Sequence, residues 1–476
     1  MKKMLKPRSE VEIAGLGRRS EEPHNPEELP LWSRDFRSRA ERDRDRILYS
    51  SAFQRLAYVT QVTAPEAGHV FHNRLNHSLK VAQAGRRNAQ RLRALVDEGA
   101  ITGAAGETVM SIHPEAVAAS CLAHDLGHPP FGHIAEEVLN RLSKPHTQER
   151  VGFEGNAQSF RIVTRLAQRA TGSGLNLTRQ TLDGMLKYPW HYRDQDLLPG
   201  SLRERKWGYY PEDHEAFEFA RENSHGEDSD EARPTQCLEA LIMEWADDLT
   251  YAVHDVDDFF RAGLIPLHRL GDKDDDEFKH LKDLLDSARE ADKKAWPALT
   301  PQEILDTIEE VAGRYAPSGA YRHMRDHRRE MRSFGAELIR RYMGAFRVVD
   351  NPADATIAVE VPDEIEREVE ALKLLVRVYV IRRPGLAIVQ HGQQRIITEL
   401  FEAYYKASES GKDGDRRIFP PEARRTLTSE PDDAAHRARM VVDLIAGLTE
   451  DAAVKLHARL FGDGPATTLD AIADMA

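Results

Sequence analysis

The sequence predicts a mainly α-helical protein, and three observations carry that reading. Stretches with apolar residues at helical spacing recur at 76–98, 114–125, 133–143, 155–170, 236–262, 302–315, 330–347, 364–382, 392–407 and 435–461. Strand patterns are few; the best, ATIAVEV at 355–361, alternates and is followed by Pro362. The composition is that of an ordinary soluble chain, 41% hydrophobic and 30% charged over 476 residues, enough for a large core and one or two domains.

Along the chain, residues 1–30 are polar and rich in Pro and charge (EEPHNPEELP) and read as a flexible lead-in. An Arg-rich run follows, RDFRSRAERDRDR at 34–46, with six Arg against four acids. The alternating sign in that run points to a salt-bridge network and only weakly to single-stranded DNA. From Trp32 onward helical periodicity dominates. Two segments read as insertions or mobile loops. One is 171–235, rich in Gly, Pro and aromatics, with an acidic tip ENSHGEDSDEARP. The other is 271–298, a solvated helix with a charged start. A break near 350–362 divides an expected catalytic region, 31–350, from a C-terminal helical region, 351–476, that packs on it. There is no internal repeat.

The bulk numbers exclude some classes. Net charge is −13, which does not call for nucleic acid. Two cysteines, Cys121 and Cys237, make neither a disulfide framework nor a zinc ribbon and fit a reducing compartment. The basic start lacks an apolar h-region, and no stretch approaches a membrane span. The expectation is a cytoplasmic protein without a membrane partner.

The chemistry concentrates in HDLGHPPFGH, His124 to His133. An adjacent His-Asp pair can present an imidazole nitrogen and a carboxylate oxygen to one divalent ion. Gly127, Pro129, Pro130 and Gly132 force a turn directly after it. Two other helical stretches carry metal-type ligands: NRLNHSLKVAQ with His77, and MEWADDLTYAVHDVDD with Asp247 and Asp248. Two imidazoles and two carboxylates neutralise a 2+ ion and leave positions open for water and substrate. Mixed N/O ligation does not choose among Mn, Fe, Co, Ni, Zn and Mg.

Each piece alone is bland; a His-Asp dipeptide or a double Asp on a solvated helix face is common. Their companions make the difference. Arg74 shares a helix face with His77, where a guanidinium suits a bridging phosphate oxygen. Asp247, Tyr251 and Asp255 line one face at i, i+4 and i+8. His133 and Glu136, at i and i+3, form an imidazole–carboxylate pair fit for general acid/base work.

These residues resemble the HD-domain deoxynucleoside triphosphate triphosphohydrolases of the deoxyguanosinetriphosphate type. The resemblance covers roughly 33–463 and runs through RDRDRILYSSAFQRLAYVTQV (42–62), FHNRLNHSLKVAQ (71–83), AHDLGHPPFGHIAEE (123–137), GFEGNAQSFRI (152–162), LNLTRQTLDGMLKYPW (175–190), ADDLTYAVHDVDD (246–258) and VVDLIAGLTEDA (441–452). It implies an HD-domain helical fold with additional C-terminal helices. It also implies metal ligands at His77, His124, Asp125 and Asp247, with Asp247 preferred over Asp248 because the Asp-x-x-x-Tyr-x-x-x-Asp pattern starts there. By the same resemblance His133, Glu136 and His128 are catalytic. Arg74, Tyr251, Lys187 and Lys206 contact phosphates, and Gln61 and Asp255 hold the deoxyribose. The closing motif departs from the family pattern, with Ala452 and Ala453 where a Tyr is usual nearby.

The implied reaction converts a dNTP, dGTP favoured, and water to deoxynucleoside and inorganic triphosphate. A divalent metal is the implied cofactor, with Mn or Mg expected to be most active in vitro. The resemblance also implies a homo-oligomer, hexamer or tetramer. Other readings are a different HD phosphohydrolase (a 5′-deoxynucleotidase or a cyclic-nucleotide phosphodiesterase), a nucleic-acid-binding regulator, or a nucleotide-sensing protein.

Overall fold

The computed structural model describes residues 2–5, 18, 31–61, 73–147, 150–169, 172–192, 205–222, 235–291, 293, 296–351, 356–409, 415–429 and 433–462. Helices dominate these residues. Four of them form the centre. The Pro114–Ala123 helix lies between Arg39–Leu48 and Arg74–Asp97, and Leu238–Thr250 packs on the latter pair of neighbours, Arg74–Asp97 and Pro114–Ala123. Local sequence starts three of these. Ser38 and Glu41 make a reciprocal capping box for Arg39–Leu48, the Asn73 side chain accepts from the Asn76 amide, and Pro114 occupies the first turn of its helix.

Pro114–Ala123 is buried from Glu115 to Ala123. It is apolar on all sides, as a helix enclosed by others must be. Its small residues (Ala116, Ala118, Ala119, Ser120, Cys121) let neighbours come close. At Gly85, on Arg74–Asp97, a Cβ atom would stand 2.6 Å from Cys121 Sγ, so only glycine permits this approach.

A first apolar core joins these helices to Pro301–Tyr315, Arg325–Ala345 and Asp363–Val376. A second core surrounds the back of the His133–Ser143 helix. There Ala135, Val138 and Leu139 meet Ile397, Leu400 and Phe401 of Pro384–Glu409 and Val441, Val442 and Ile445 of Ala434–Ala446. The apolar core thus changes hands after the Arg377–Ile381 turn, beyond the break at 350–362. The expected strand at 355–361 is Thr356–Glu360, the middle of an antiparallel three-stranded sheet between Lys2–Leu5 and Arg347–Asn351, with Val359 opposite both Lys3 and Val348.

Several expectations change. Lys2–Leu5 lies in the stretch read as a flexible lead-in, yet pairs as an edge strand, and the Lys3 ammonium binds Gln236 Oε1 at 2.8 Å. Arg39–Leu48 is a helix that apolar periodicity did not announce, because charges occupy most of its faces. Those charges pair within the chain as the alternating sign implied. Arg37 reaches Asp35 at 2.8 Å and Asp45 at 2.6 Å, Arg18 reaches Asp43 at 2.7 Å, and Arg44 pairs with Glu115.

The 155–170 stretch is helical only to Arg161, then widens into a π turn, Ile162–Leu166. The 435–461 stretch is two helices, because Gly447 ends one and Thr449 caps the next. Within 171–235, Trp207, Tyr209 and Tyr210 are buried rather than loop-like, while the acidic tip beyond Glu222 lies outside the described residues. In 271–298 the helix Asp276–Ala291 is not solvated all round; Phe278, Leu281, Leu285 and Ala288 form a buried stripe. Among the described residues no helix is long and apolar enough to cross a membrane.

The buried stripe generates a stability prediction. Leu281→Ala should destabilise the protein by about 2–5 kcal/mol through the cavity it leaves. Exposed Lys282→Ala should stay within about 0.5 kcal/mol. Thermal or denaturant melts compare the two, and equal effects would return this segment to a solvated helix.

Candidate active site and metal centre

Three of the central helices each deliver one side of the site. His124 ends the Pro114–Ala123 helix, and its Nδ1 donates to the Cys121 carbonyl oxygen at 2.6 Å, one turn back. That bond makes Nδ1 the donor and turns Nε2 inward, toward the carboxylates. His77 comes from the Arg74–Asp97 helix, close because Gly85 lets the two helices touch. Its Nε2 lies 3.0 Å from Asp247 Oδ1 on Leu238–Thr250. His124 Nε2 lies 3.5 Å from Asp125 Oδ1 and 3.6 Å from Asp247 Oδ1, and it is buried without a hydrogen-bond partner.

The donor set fits a divalent ion. Ligand atoms that each sit ~2.0–2.1 Å from one ion stand ~3–3.5 Å from one another, and three pairs here stand 3.0, 3.5 and 3.6 Å apart. Among the described residues, His77, His124 and Asp125 bring one ligand atom each within 4.8 Å of one another, with Asp247 reaching the two imidazoles, and His128, His133 and Glu136 form a second such group. A buried imidazole nitrogen with no partner, facing two carboxylates, is a site made for a cation. Asp248 points elsewhere and pairs with Lys373 at 3.1 Å.

The turn after the His-Asp pair places the second group. Gly127 packs so tightly on the Gly155 carbonyl and the Ser159 amide that no side chain fits there. Phe131 and Gly132 then take left-handed conformations, with φ of 68° and 58°. This reversal swings His128 and His133 toward Glu136. His128 spans the two groups, Nδ1 3.0 Å from Asp125 Oδ1 and Nε2 3.2 Å from Glu136 Oε1. His133 Nδ1 is 3.0 Å from Glu136 Oε2, and its ring is 72% exposed, open to an incoming molecule.

Cations border both groups. Arg74 Nη1 reaches Asp125 Oδ2 at 3.0 Å, Lys187 Nζ reaches Asp247 Oδ2 at 3.2 Å, and Lys206 Nζ lies 2.9 Å from Glu154 and 3.9 Å from Glu136. Burial works to raise the Asp125 carboxyl, but His124, Arg74 and His128 outweigh it and hold it well below the usual range. The same contest keeps Glu136 ionised, with His128, His133 and Lys206 against burial. Burial, then Arg74, presses His128 below its ordinary value. For His124 burial is again the largest effect, yet Asp125, Asp247 and the Cys121 carbonyl hold the imidazole up to about 9.

The remaining expected residues border this centre at longer range. Burial and then Asp255 push the Tyr251 phenol up, with Arg74 and Asp247 acting on it at a distance. Burial and then Asp258 push Asp255 well above the usual carboxylate range, and its Oδ2 is buried without a partner. Gln61 Oε1 is likewise buried and unpartnered, and the preceding Thr60 carbonyl accepts from Arg74 Nε at 3.0 Å. Neither Gln61 nor Asp255 touches the ligand cluster directly.

Two residues escaped the sequence reading. Arg55 is buried and donates to the carbonyls of Leu126 (2.7 Å) and His128 (2.8 Å), bracing the turn. Glu154 caps Gly155–Arg161 and also holds Lys206. Both lie inside the quoted motifs, at 42–62 and just before GNAQ, but no local pattern marks an arginine that acts through distant carbonyls.

Two family models match this chain: the HD domain over residues 74–252 and the phosphohydrolase-associated domain over residues 359–459. The chain is 35% identical to a deoxyguanosinetriphosphate triphosphohydrolase-like protein of Streptomyces coelicolor, over 92% of this chain and 98% of that one. It is 34% identical to one of Corynebacterium efficiens, over 87% and 89% of the two chains. A third, from Shewanella woodyi, is 28% identical over 90% and 93%.

The geometry separates Asp247 from its neighbour in a measurable way. Asp247→Ala should lose bound divalent metal by elemental analysis, whereas Asp248→Ala should keep it; the reverse would move the site. The His124 imidazole must shed its proton to bind a metal. With that group held up to about 9, metal affinity should rise with pH up to that point, by about tenfold per unit, then level off. A flat titration over this range would show that His124 is not a ligand.

Proposed function

We propose, for a chain that belongs to the HD-domain family of deoxyguanosinetriphosphate triphosphohydrolase-like proteins, a metal-dependent hydrolysis of dNTP, dGTP favoured, to deoxynucleoside and inorganic triphosphate. The observation that carries this reading is the shared carboxylate. Asp125 belongs to a cation-type cluster on one side and, through His128, to an imidazole–carboxylate pair on the other. A single phosphorus atom between them would face a Lewis acid and a proton carrier at once.

His77, His124, Asp125 and Asp247 are the residues that would hold the ion. When bound, a divalent metal supplies charge to a phosphoryl oxygen and lowers the pKa of a coordinated water. The chain's own groups supply the rest. The water oxygen forms a bond to the α-phosphorus while the bond from that phosphorus to the sugar 5′ oxygen breaks. One proton leaves the water and one arrives at the 5′ oxygen, so the deoxynucleoside departs neutral. His133 is the proton carrier, and Glu136 on its Nδ1 orients the ring and stabilises its charged form. Arg74, Lys187 and Lys206 take triphosphate oxygens, with Tyr251 beside them. Gln61 and Asp255, each with a buried unpartnered oxygen, hold the sugar. Burial and Asp258 raise the Asp255 carboxyl well above the usual carboxylate range, which favours a form that can donate to a sugar hydroxyl as well as accept. The active unit is a homo-oligomer.

The test is a panel of the four dNTPs and GTP with Mn, Mg, Co and Zn, reading triphosphate as the product. Release of pyrophosphate or monophosphate instead would overturn the reaction. His133→Ala and Glu136→Ala should each lower kcat by about 10²–10⁴-fold while nucleotide still binds. A near-normal rate in either variant would remove that pair from the chemistry.

A further inference from the structure

The start of the last helix, Glu450–Phe461, sits against the candidate site although it is some 390 residues from one of its partners. Glu450 Oε1 accepts two backbone hydrogen bonds, from the Thr60 amide at 2.8 Å and the Phe131 amide at 3.2 Å. These amides belong to the two loops that shape the site. Thr60 precedes Gln61, and its carbonyl receives Arg74. Phe131 is the left-handed residue that swings His133 toward Glu136. Two residues before Glu450, the Leu448 carbonyl accepts from Arg55 at 3.1 Å, the same guanidinium that braces Leu126 and His128.

We propose that Glu450 is a positioning residue that sets the spacing between the sugar side and the proton-transfer side of the site. One oxygen receiving both amides fixes the distance between the loops. A left-handed residue such as Phe131 is strained and persists only where its surroundings over-determine it; Glu450 on its amide and Arg55 on the neighbouring carbonyls are part of those surroundings. The C-terminal helices thereby reach the chemistry by holding the backbone of the site loops, without a side chain at the reacting atoms. The inference rests on the triphosphohydrolase reading for its kinetic consequence but not for its structural one.

Glu450 also lies in the first turn of its helix, where a negative charge helps any helix. Two variants separate the roles. Glu450→Gln keeps the reach and the accepting oxygen but loses the charge. Glu450→Asp keeps the charge but is one methylene too short to meet both amides. Positioning predicts that E450D loses at least tenfold in kcat and exchanges the amides of the 56–61 and 126–133 segments faster by deuterium-exchange mass spectrometry, while E450Q stays within about threefold of wild type. A helix-charge role predicts the opposite order, and that order, or E450D indistinguishable from wild type in exchange, would overturn the proposal. If wild type releases no triphosphate, the reaction falls; the exchange comparison still decides the role of Glu450.

Discussion

The structure depends on one buried carboxylate. Asp125 is 4% exposed, and an isolated ionised carboxylate at such a position is costly enough that it would take up a proton. It stays charged because three groups converge on it: Arg74 on Oδ2, and His128 and His124 around Oδ1. The two imidazoles come from Asp125's own run and Arg74 from a distant helix, so neutralising Asp125 requires that the Arg74–Asp97 helix arrive in register with the end of the Pro114–Ala123 helix and its turn. The charge that makes the centre useful is also what penalises misassembly around it.

Packing supplies that register. The Ala-rich helix, Gly85 against Cys121, and Gly127 against the Gly155 carbonyl shorten distances that larger side chains would open by a methyl group or more. The C-terminal core behind His133–Ser143 keeps that helix from rotating, since Ala135, Val138 and Leu139 are buried on the face opposite the exposed imidazole. Chemistry on the front is held by apolar contact on the back.

Much of this was legible in the chain because it is written locally. The His-Asp pair, its Pro-Gly turn, and the i, i+3 companions His133 and Glu136 occupy one short run, and helical spacing alone pairs Arg74 with His77. Asp247 and Asp248 could not be separated by periodicity; the resemblance chose Asp247, and the two differ in the structure because Asp247 stands beside His77 and His124 while Asp248 turns to Lys373. What was hidden is non-local or charge-driven. Arg39–Leu48 forms without an apolar stripe because its ion pairs and capping box satisfy it. Lys2–Leu5 is too short to signal a strand before Thr356–Glu360 offers it an edge. Arg55 and Glu450 act on backbone groups far away in sequence, and nothing in their neighbours' identities announces such partners.

The electrostatics bear on how one site would accept both a metal and a polyanion. Three cations, Arg74, Lys187 and Lys206, are paired here with four carboxylates, Asp125, Asp247, Glu136 and Glu154. Two of those cations, Arg74 and Lys187, sit on the very carboxylates that would ligate an ion. A divalent ion placed among the ligands would compete for those oxygens, leaving guanidinium and ammonium under-paired in a low-dielectric pocket. Under-paired buried cations are costly unless an anion arrives. A triphosphate is such an anion, and it brings its charge to the side the cations already line. Ion and substrate then stabilise one another through a change of partners, so the proposed binding of each should strengthen the other without any element of the fold having to move.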